Sequence, residues 1–349
     1  MNIALDISPL STGHSVRGSG FYVRHLQDAF LRYFPEEKYS FFNGRNETPK
    51  SYDILHVPYF DPFFLTLGSG VAKKTVITIH DLIPLVFPQH FPAGIRGSLI
   101  WFFQRAKLQH IAAIITDSES SKKDIIRLVG VPEELVYVIP LAAGTMFNEA
   151  LITEHDAKAL REKYHLPREF ALYVGDATWN KNLPRLISAV KKKEVPFVMV
   201  GKALTEKTVN PGNIWNKDLG TIQSETEGVP FIQKLGFLST EELALLYKVA
   251  SVLVMPSLYE GFGLPVLEAM SSGCPVITTK RGSLPEVAQD ACYYVDAEDE
   301  ESIGKGIETV LGDRSLQKKL SLQGLEQSKK FSWKKTSQKT MNVYNSLKK

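Results

Sequence analysis

The stretch VLVMPSLYEGFGLPVLEAMSSGCPVITT, Val252 to Thr279, reads as one strand, loop, helix and strand in succession. VLVMP is a continuous apolar run of the kind that suits a parallel strand covered on both faces. Gly261 and Gly263 allow a turn with positive φ or a close backbone approach, and Pro265 suits the first turn of a helix running to about Ser272. PVITT then opens the next strand. Parallel strands joined in this way carry their ligand-binding loops at their carboxyl ends. Two glutamates eight positions apart bracket the turn, Glu260 on the loop and Glu268 in the first turns of the helix.

The same alternation runs outward in both directions. On the N-terminal side lie IALDI, a helix near Phe21 to Phe34, DILHV, TVITI, AAIIT, a helix near Ser118 to Leu128, and VYVIP. After a charged region around Glu149 to Pro167 the series restarts with FALYVG, a helix from about Leu183, FVMVG, VLVMP, PVITT and CYYV. Two consecutive β/α series separated by a polar stretch predict an α/β chain of two doubly wound domains with facing binding edges. The predicted boundaries are 1–155 and 156–332. The closing segment, 333–349, carries Trp333, Thr336, Met341, Tyr344 and Leu347 at helical spacing and reads as an amphipathic helix.

Composition removes several classes of function. With 349 residues, 44% hydrophobic and 23% charged, the chain is neither disordered nor fibrous, and two domains fit its length. No apolar run approaches the roughly 20 residues that span a bilayer, and MNIALDISPL lacks a basic n-region before an apolar core, so a cytoplasmic protein is expected. Cys274 and Cys292 sit in apolar contexts without metal-ligand spacing. The net charge of +3 hides a basic C-terminus, ten Lys/Arg against Glu326 from Arg314 onward; a solvated helix face and an anionic membrane surface both account for it, and nucleic acid is a poor fit. GIRGSLIWFFQRAKLQH, Gly94 to His110, mixes Ile95, Leu99, Trp101, Phe102 and Phe103 with Arg96, Arg105 and Lys107. It reads as a buried helix or as an interfacial helix at a membrane.

Candidate site residues fall at predicted strand ends. In SPLSTGHSVRGSGFY, Gly18 and Gly20 precede a helix and would let the backbone approach a ligand, although a tight turn explains them equally well. His80 and Asp81 follow an apolar strand, where a histidine either donates to a sugar hydroxyl or phosphate oxygen or caps the next loop. In YVGDATWNKNLPRLISAV, Asn182 has the sequence of an N-cap and Lys181 stands at the positive end of a helix dipole, a mildly unfavourable position that a bound anion would reverse. Glu268 near a helix N-terminus is favourable by itself; Glu260 is not. An anion between them, with the two acids accepting from hydroxyls on either side, describes a nucleotide sugar.

These residues resemble those of the retaining glycosyltransferases of the two-domain GT-B fold, in glycosyltransferase family 4 (group 1). The resemblance covers nearly the whole chain. Its most specific part is the pair of glutamates in PSLYEGFGLPVLEAM, supported by YVGDATWNKNL, TIHDLIPLVFP, TDSESSKKDI, RGSLPEVAQDA and the tryptophan-bearing terminal segment. The nearest subgroup is the mannosyltransferase-like enzymes of bacterial surface polysaccharide assembly. The resemblance implies an acceptor-binding N-terminal domain, a donor-binding C-terminal domain, and a terminal helix that crosses back to the first domain.

It further implies that Glu260 faces the transferred sugar, that Gly261, Phe262, Gly263 and Leu264 offer backbone contacts to sugar and phosphate, and that Glu268 binds the ribose. Lys181 would neutralise the diphosphate, and His80 would reach the donor sugar. Many relatives have arginine where this chain has Asn180, with Arg185, Lys280 and Arg281 as candidate substitutes. The implied reaction is a metal-independent, front-face hexosyl transfer, mannosyl from GDP-mannose being the first choice, to a glycan or lipid-linked glycan, with possible donors also including UDP-glucose, UDP-GlcNAc and dTDP-rhamnose. No cofactor is implied. A nucleotide-sugar epimerase, a hydrolase or phosphorylase, and a catalytically silent binding protein are the rival readings.

Overall fold

The computed structural model describes residues 1–13, 18–68, 74–148, 153–206, 215 and 217–348, with Arg45 described by its backbone alone. Part of the loop before Gly18 and part of the charged region after Asn148 therefore lie outside the described residues. The chain divides into two compact units, one of Met1–Ala142 with Phe331–Lys349, the other of Ala143–Lys330. The division thus falls earlier than residue 155, and the terminal segment belongs with the first unit.

In the first unit six parallel strands, β1 (Asn2–Asp6), β2 (Lys38–Phe42), β3 (Ile54–Val57), β4 (Thr75–Thr78), β5 (Ala113–Thr116) and β6 (Val136–Val138), are ordered β2-β1-β3-β4-β5-β6. β4 and β5 are buried at every position, as the continuous apolar runs predict. The strand order reverses between β1 and β3. In the second unit β7 (Ala171–Val174), β8 (Phe197–Val200), β9 (Ile232–Leu235), β10 (Val252–Met255), β11 (Val276–Thr279) and β12 (Tyr293–Val295) are ordered β12-β11-β10-β7-β8-β9, again all parallel. That is the order of a dinucleotide-binding sheet, with its reversal between β7 and β10.

The terminal helix Trp333–Ser346 buries the face that its periodicity marks, including Trp333, Thr336, Met341 and Tyr344. Trp333 stacks on His25, with ring centroids 5.1 Å apart, against the helix Gly18–Tyr33. The Thr336 hydroxyl donates to the Pro140 carbonyl at 2.8 Å. Tyr344 Oη lies 2.5 Å from His56 Nδ1, and His56 Nε2 lies 2.8 Å from Thr78 Oγ1, which in turn meets Tyr22 Oη at 3.2 Å. Burial pulls His56 down to about 3, so this chain of contacts is neutral at physiological pH. A polar string through the core thereby ties the last helix to β3, β4 and the first helix.

Candidate functional site

At a reversal of strand order the loops leaving two neighbouring strands diverge and leave space for a ligand. In the second unit those strands are β7 and β10, and their loops carry Lys181 and Glu260. Asparagines stitch the two loops together. The Asn180 carbonyl accepts from Leu258 N at 2.8 Å, its Nδ2 donates to the Tyr259 carbonyl at 3.0 Å, and its Oδ1 accepts from Thr178 Oγ1 at 2.8 Å. Asn182 Nδ2 donates to the carbonyls of Pro256 and Ala297 at 2.9 and 2.6 Å.

Asn182 does precede the helix Leu183–Lys192, but it is left-handed (φ 60, ψ 30) and its side chain caps nothing. The N-cap expected from sequence gives way because two loop carbonyls take the amide, and asparagine tolerates this conformation better than most residues. Asn180 likewise has a structural task that its sequence neighbours do not reveal. Of the three candidate replacement cations, Arg185 is held on Asn182 Oδ1 at 2.9 Å, Arg281 pairs with Glu298 at 3.2 Å, and Lys280 lies over the Tyr294 ring.

Lys181 and Glu260 meet. Lys181 Nζ donates to Oε1 and Oε2 of Glu260 at 2.8 and 2.9 Å, and Ser257 Oγ donates to Oε1 at 2.7 Å. Glu260 is 6% exposed. The lysine that looked uncompensated against a helix dipole is in fact neutralised by the glutamate that looked unexplained. The pair is still not saturated: an ammonium has three N–H groups and spends two here, and Oε2, unlike Oε1, has a lone-pair position left. The Glu260 backbone is fixed as well, its carbonyl accepting from Ser283 N and Oγ at 3.1 and 3.0 Å. Gly282 (φ 56) makes that approach possible, since a Cβ there would come within 2.6 Å of the same carbonyl oxygen.

Of the two loop glycines, Gly263 is left-handed (φ 93) and starts the helix Leu264–Ser271 with Pro265 in its first turn. Gly261, Phe262 and Gly263 are buried and Leu264 is half-buried. Glu268 is not in the first turn of that helix, so a dipole contact does not account for it. Burial pushes its carboxyl up to about 8 against the opposing effect of Tyr247, whose hydroxyl donates to Oε2 at 3.1 Å. One glutamate is held as a cation's partner; the other is held mostly protonated near neutrality.

In the first unit His80 and Asp117 follow β4 and β5. His80 Nδ1 lies 2.7 Å from Asp117 Oδ2, and the Tyr22 ring packs edge-on at 4.9 Å. Among the described residues, His80 Nε2 and Asp117 Oδ1 are buried without a hydrogen bond of good geometry. Burial pulls His80 down, but the charge and hydrogen bond of Asp117, aided by Asp81 and the Pro58 carbonyl, carry it above its ordinary value. Burial raises Asp117 despite the pull of His80. Asp81 takes the capping task, its Oδ1 accepting from Ile83 N at 3.0 Å. The sequence reading quoted TDSESSKKDI but gave Asp117 no role, because its partner lies 37 residues away. Gly18 and Gly20 lie inside the helix Gly18–Tyr33 rather than before it, and a Cβ at Gly18 would meet nothing within 4 Å.

Two doubly wound sheets with charged side chains at their carboxyl edges define a two-unit, Rossmann-like ligand-binding protein. Residues 156–327 match the family described as glycosyl transferases group 1, and residues 16–143 match Glycosyltransferase Family 4. The chain is 32% identical over 335 residues to the O-antigen chain mannosyltransferase B of Escherichia coli, covering 91% of this chain and 82% of that protein. It is 29% identical over 300 residues to the serotype-specific mannosyltransferase WbdA of Escherichia coli, covering 81% of this chain and 36% of that longer protein. It is similar in fold to the sucrose-phosphate synthase of Thermosynechococcus elongatus (TM-score 0.76, 20% identity, 99% of each chain). HepE of Anabaena, solved with UDP-glucose, gives a TM-score of 0.75 at 18% identity over 99% of this chain and 100% of that one. The chain belongs to the group 1, Family 4 glycosyltransferases, and it has their GT-B type of fold.

Proposed function

We propose that this glycosyltransferase moves a hexosyl group, mannosyl from GDP-mannose, to a glycan or lipid-linked glycan with retention of anomeric configuration and without a required metal. It would work in the cytoplasm, at the inner face of the membrane. The mannosyltransferase names of its relatives support the sugar. The observation that carries the reading is the Lys181–Glu260 pair at the β7/β10 reversal, with one N–H and one lone pair to spare. A sugar diphosphate needs that combination: a phosphate oxygen accepts the spare N–H, and a sugar hydroxyl donates to Glu260.

In the proposed reaction the bond from the anomeric carbon to the diphosphate oxygen breaks, and the acceptor oxygen attacks from the same face. The acceptor proton passes to the leaving phosphate oxygen. Lys181 stabilises the charge that develops on the diphosphate, and Glu260 holds the sugar while positive character builds at its anomeric carbon. Glu268 and the Gly261–Leu264 backbone would hold ribose and phosphate. Glu260 is not the nucleophile, because attack on the face opposite the diphosphate is incompatible with a carboxylate paired to the diphosphate-binding lysine.

The test is to incubate the chain with GDP-mannose, UDP-glucose, UDP-GlcNAc and dTDP-rhamnose, with and without oligosaccharide acceptor, and to assign the product linkage by NMR. An α-linked product from an α-linked donor that still forms in EDTA is expected. A β-linked product from an α-linked donor overturns retention, and donor conversion without acceptor points to an epimerase or hydrolase instead.

A further inference from the structure

The helix Gly94–Leu108 is not buried as its apolar content suggests. Only Gly97, Gln104 and Leu108 are buried along it, whereas Ile95, Leu99, Phe102 and Phe103 are 86%, 56%, 68% and 58% exposed. With 3.6 residues per turn, Ile95, Leu99, Phe102, Phe103 and Ala106 fall within one sector of about 100°. Arg96 and Lys107 border that sector on one side and Arg105 on the other. Apolar side chains in a cationic frame are the pattern of a helix lying in a membrane interface.

The face is built rather than left loose. Gln104, buried beneath it, accepts from Thr66 N and Leu67 N at 2.7 and 3.0 Å and donates to the carbonyls of Asp61 and Phe64 at 2.8 and 3.0 Å. A Cβ at Gly97 would stand 3.3 Å from Phe63, so glycine lets the 61–68 segment close on the helix. That segment adds Phe64 and Leu65, 69% and 48% exposed, to the apolar surface. Lys107 Nζ clamps it further through the carbonyls of Leu67 and Gly68 at 3.1 and 2.9 Å.

Charge identifies the occupant. From Leu82 to Thr116 the sequence contains no Asp or Glu, while it contains Arg96, Arg105 and Lys107. Asp61, the acid of the adjoining segment, accepts from Phe63 N, Phe64 N and Tyr59 Oη at 2.8, 3.1 and 3.2 Å. No helix among the described residues is long and apolar enough to cross a membrane, so a contact here lies along the surface. We propose that the exposed face of Gly94–Leu108, with Phe64 and Leu65, docks on an anionic lipid bilayer. The apolar side chains enter the headgroup boundary and the exposed Arg96 and Arg105 meet lipid phosphates.

This surface deepens the lipid-linked acceptor proposed above, and its test is independent of transfer. The full chain is floated with vesicles of phosphatidylcholine alone or mixed with phosphatidylglycerol, at low and high salt, without donor or acceptor. Binding to the anionic vesicles that weakens with salt is expected. Leu99→Ser with Phe102→Ser should reduce it at least about tenfold without changing the melting curve, since both side chains are exposed. Arg96→Ala with Arg105→Ala should reduce it less and flatten its salt dependence. No flotation at low salt overturns the proposal. So does flotation that survives the Leu99/Phe102 changes but is lost in Lys334→Ala with Lys339→Ala, which assigns it to the basic C-terminus. Concentration-dependent dimerisation abolished by the Leu99/Phe102 changes would assign the face to a second copy of the chain and equally overturn it.

Discussion

Lys181–Glu260 and His80–Asp117 are both acid–base contacts at the carboxyl ends of adjacent parallel strands, at 2.8 and 2.7 Å, but they sit differently in their sheets. The first bridges the β7/β10 reversal; the second joins β4 and β5, two strands removed from the β1/β3 reversal. The first leaves an N–H and a lone pair at its rim. The second buries His80 Nε2 and Asp117 Oδ1 with no hydrogen-bond partner among the described residues. Histidine, unlike lysine, ordinarily changes charge within the neutral range. The pair with hydrogen-bonding capacity to spare thus stands at the strand reversal, where a diphosphate is proposed to bind, and the more enclosed pair stands away from one.

The sharpest way to break the first pair is Glu260→Gln, which preserves shape and the Ser257 contact but removes charge. Turnover should fall by about a hundredfold or more, the scale of losing one preorganised electrostatic contact to a transition state. Nucleoside-diphosphate affinity should hold or tighten, because Lys181 is then released from its carboxylate. Steady-state kinetics with calorimetry reads both, and near-normal turnover would remove Glu260 from the reaction.

Lys181→Ala attacks the same pair from the other side and mixes two effects. It removes a charge-assisted contact to the diphosphate, on the order of 1.5 to 3 kcal/mol. It also strands a buried carboxylate, which costs roughly 3 kcal/mol of stability or less, since Lys181 is partly exposed. The double variant with Glu260→Gln separates these: stability should largely return and affinity should not. Recovery of both would reduce the pair to a structural ion pair.

How much of this could be read from the sequence depended on burial. The continuous apolar runs were legible; KYSFF (β2) and IQKL (β9) were not, because Lys38 and Ser40 in one and Gln233 and Lys234 in the other interrupt the run. Glu260, Glu268, Lys181 and His80 announced themselves as polar residues after strand ends. Their partners did not, since Lys181 and Glu260 are 79 positions apart and local spacing carries no sign of the contact. Asn180 and Asn182 were misread for the same reason: their amides serve carbonyls on a distant loop. The Gly94–Leu108 helix had a legible pattern and an ambiguous meaning, because periodicity marks an apolar face but not what covers it.

Glu268 carries the comparison into one motif. A carboxyl raised to about 8 from its unfolded value stays protonated in the native state as pH rises, so native stability falls between roughly pH 4.5 and 8 and then levels off. Glu268→Gln mimics the protonated form. Its melting temperature should match wild type near about pH 5 and exceed it above about pH 8, by about 2 to 4 °C for each kcal/mol recovered. Nucleoside-diphosphate affinity should nevertheless drop about tenfold, because a carboxyl that ionises on binding accepts from two ribose hydroxyls with both oxygens and an amide cannot. A melting difference independent of pH would mean that the native carboxyl is already ionised.

The smallest expected effect concerns Asp117→Asn. His80 faces Asp117, Asp81, His56, the Tyr22 ring edge and the Pro58 carbonyl; of the charged groups, only the two aspartates favour its protonation. A histidine raised in the native state contributes stability that is complete below its unfolded value and is lost as pH rises through the native one. Asp117 must be ionised for the pair to form, and burial raises it, so the contribution also fades as pH falls into the carboxylate range. Wild type should therefore exceed Asp117→Asn most above the raised Asp117 value and below the ordinary histidine value, with the gap closing as pH rises through the raised His80 value. In the variant burial prevails, and the His80 ring, followed by NMR, should lose its proton at lower pH than in wild type. If the melting gap stays constant from acid to alkaline pH while the ring titrates unchanged, the contact is a neutral hydrogen bond, and the contrast with the Lys181–Glu260 ion pair fails.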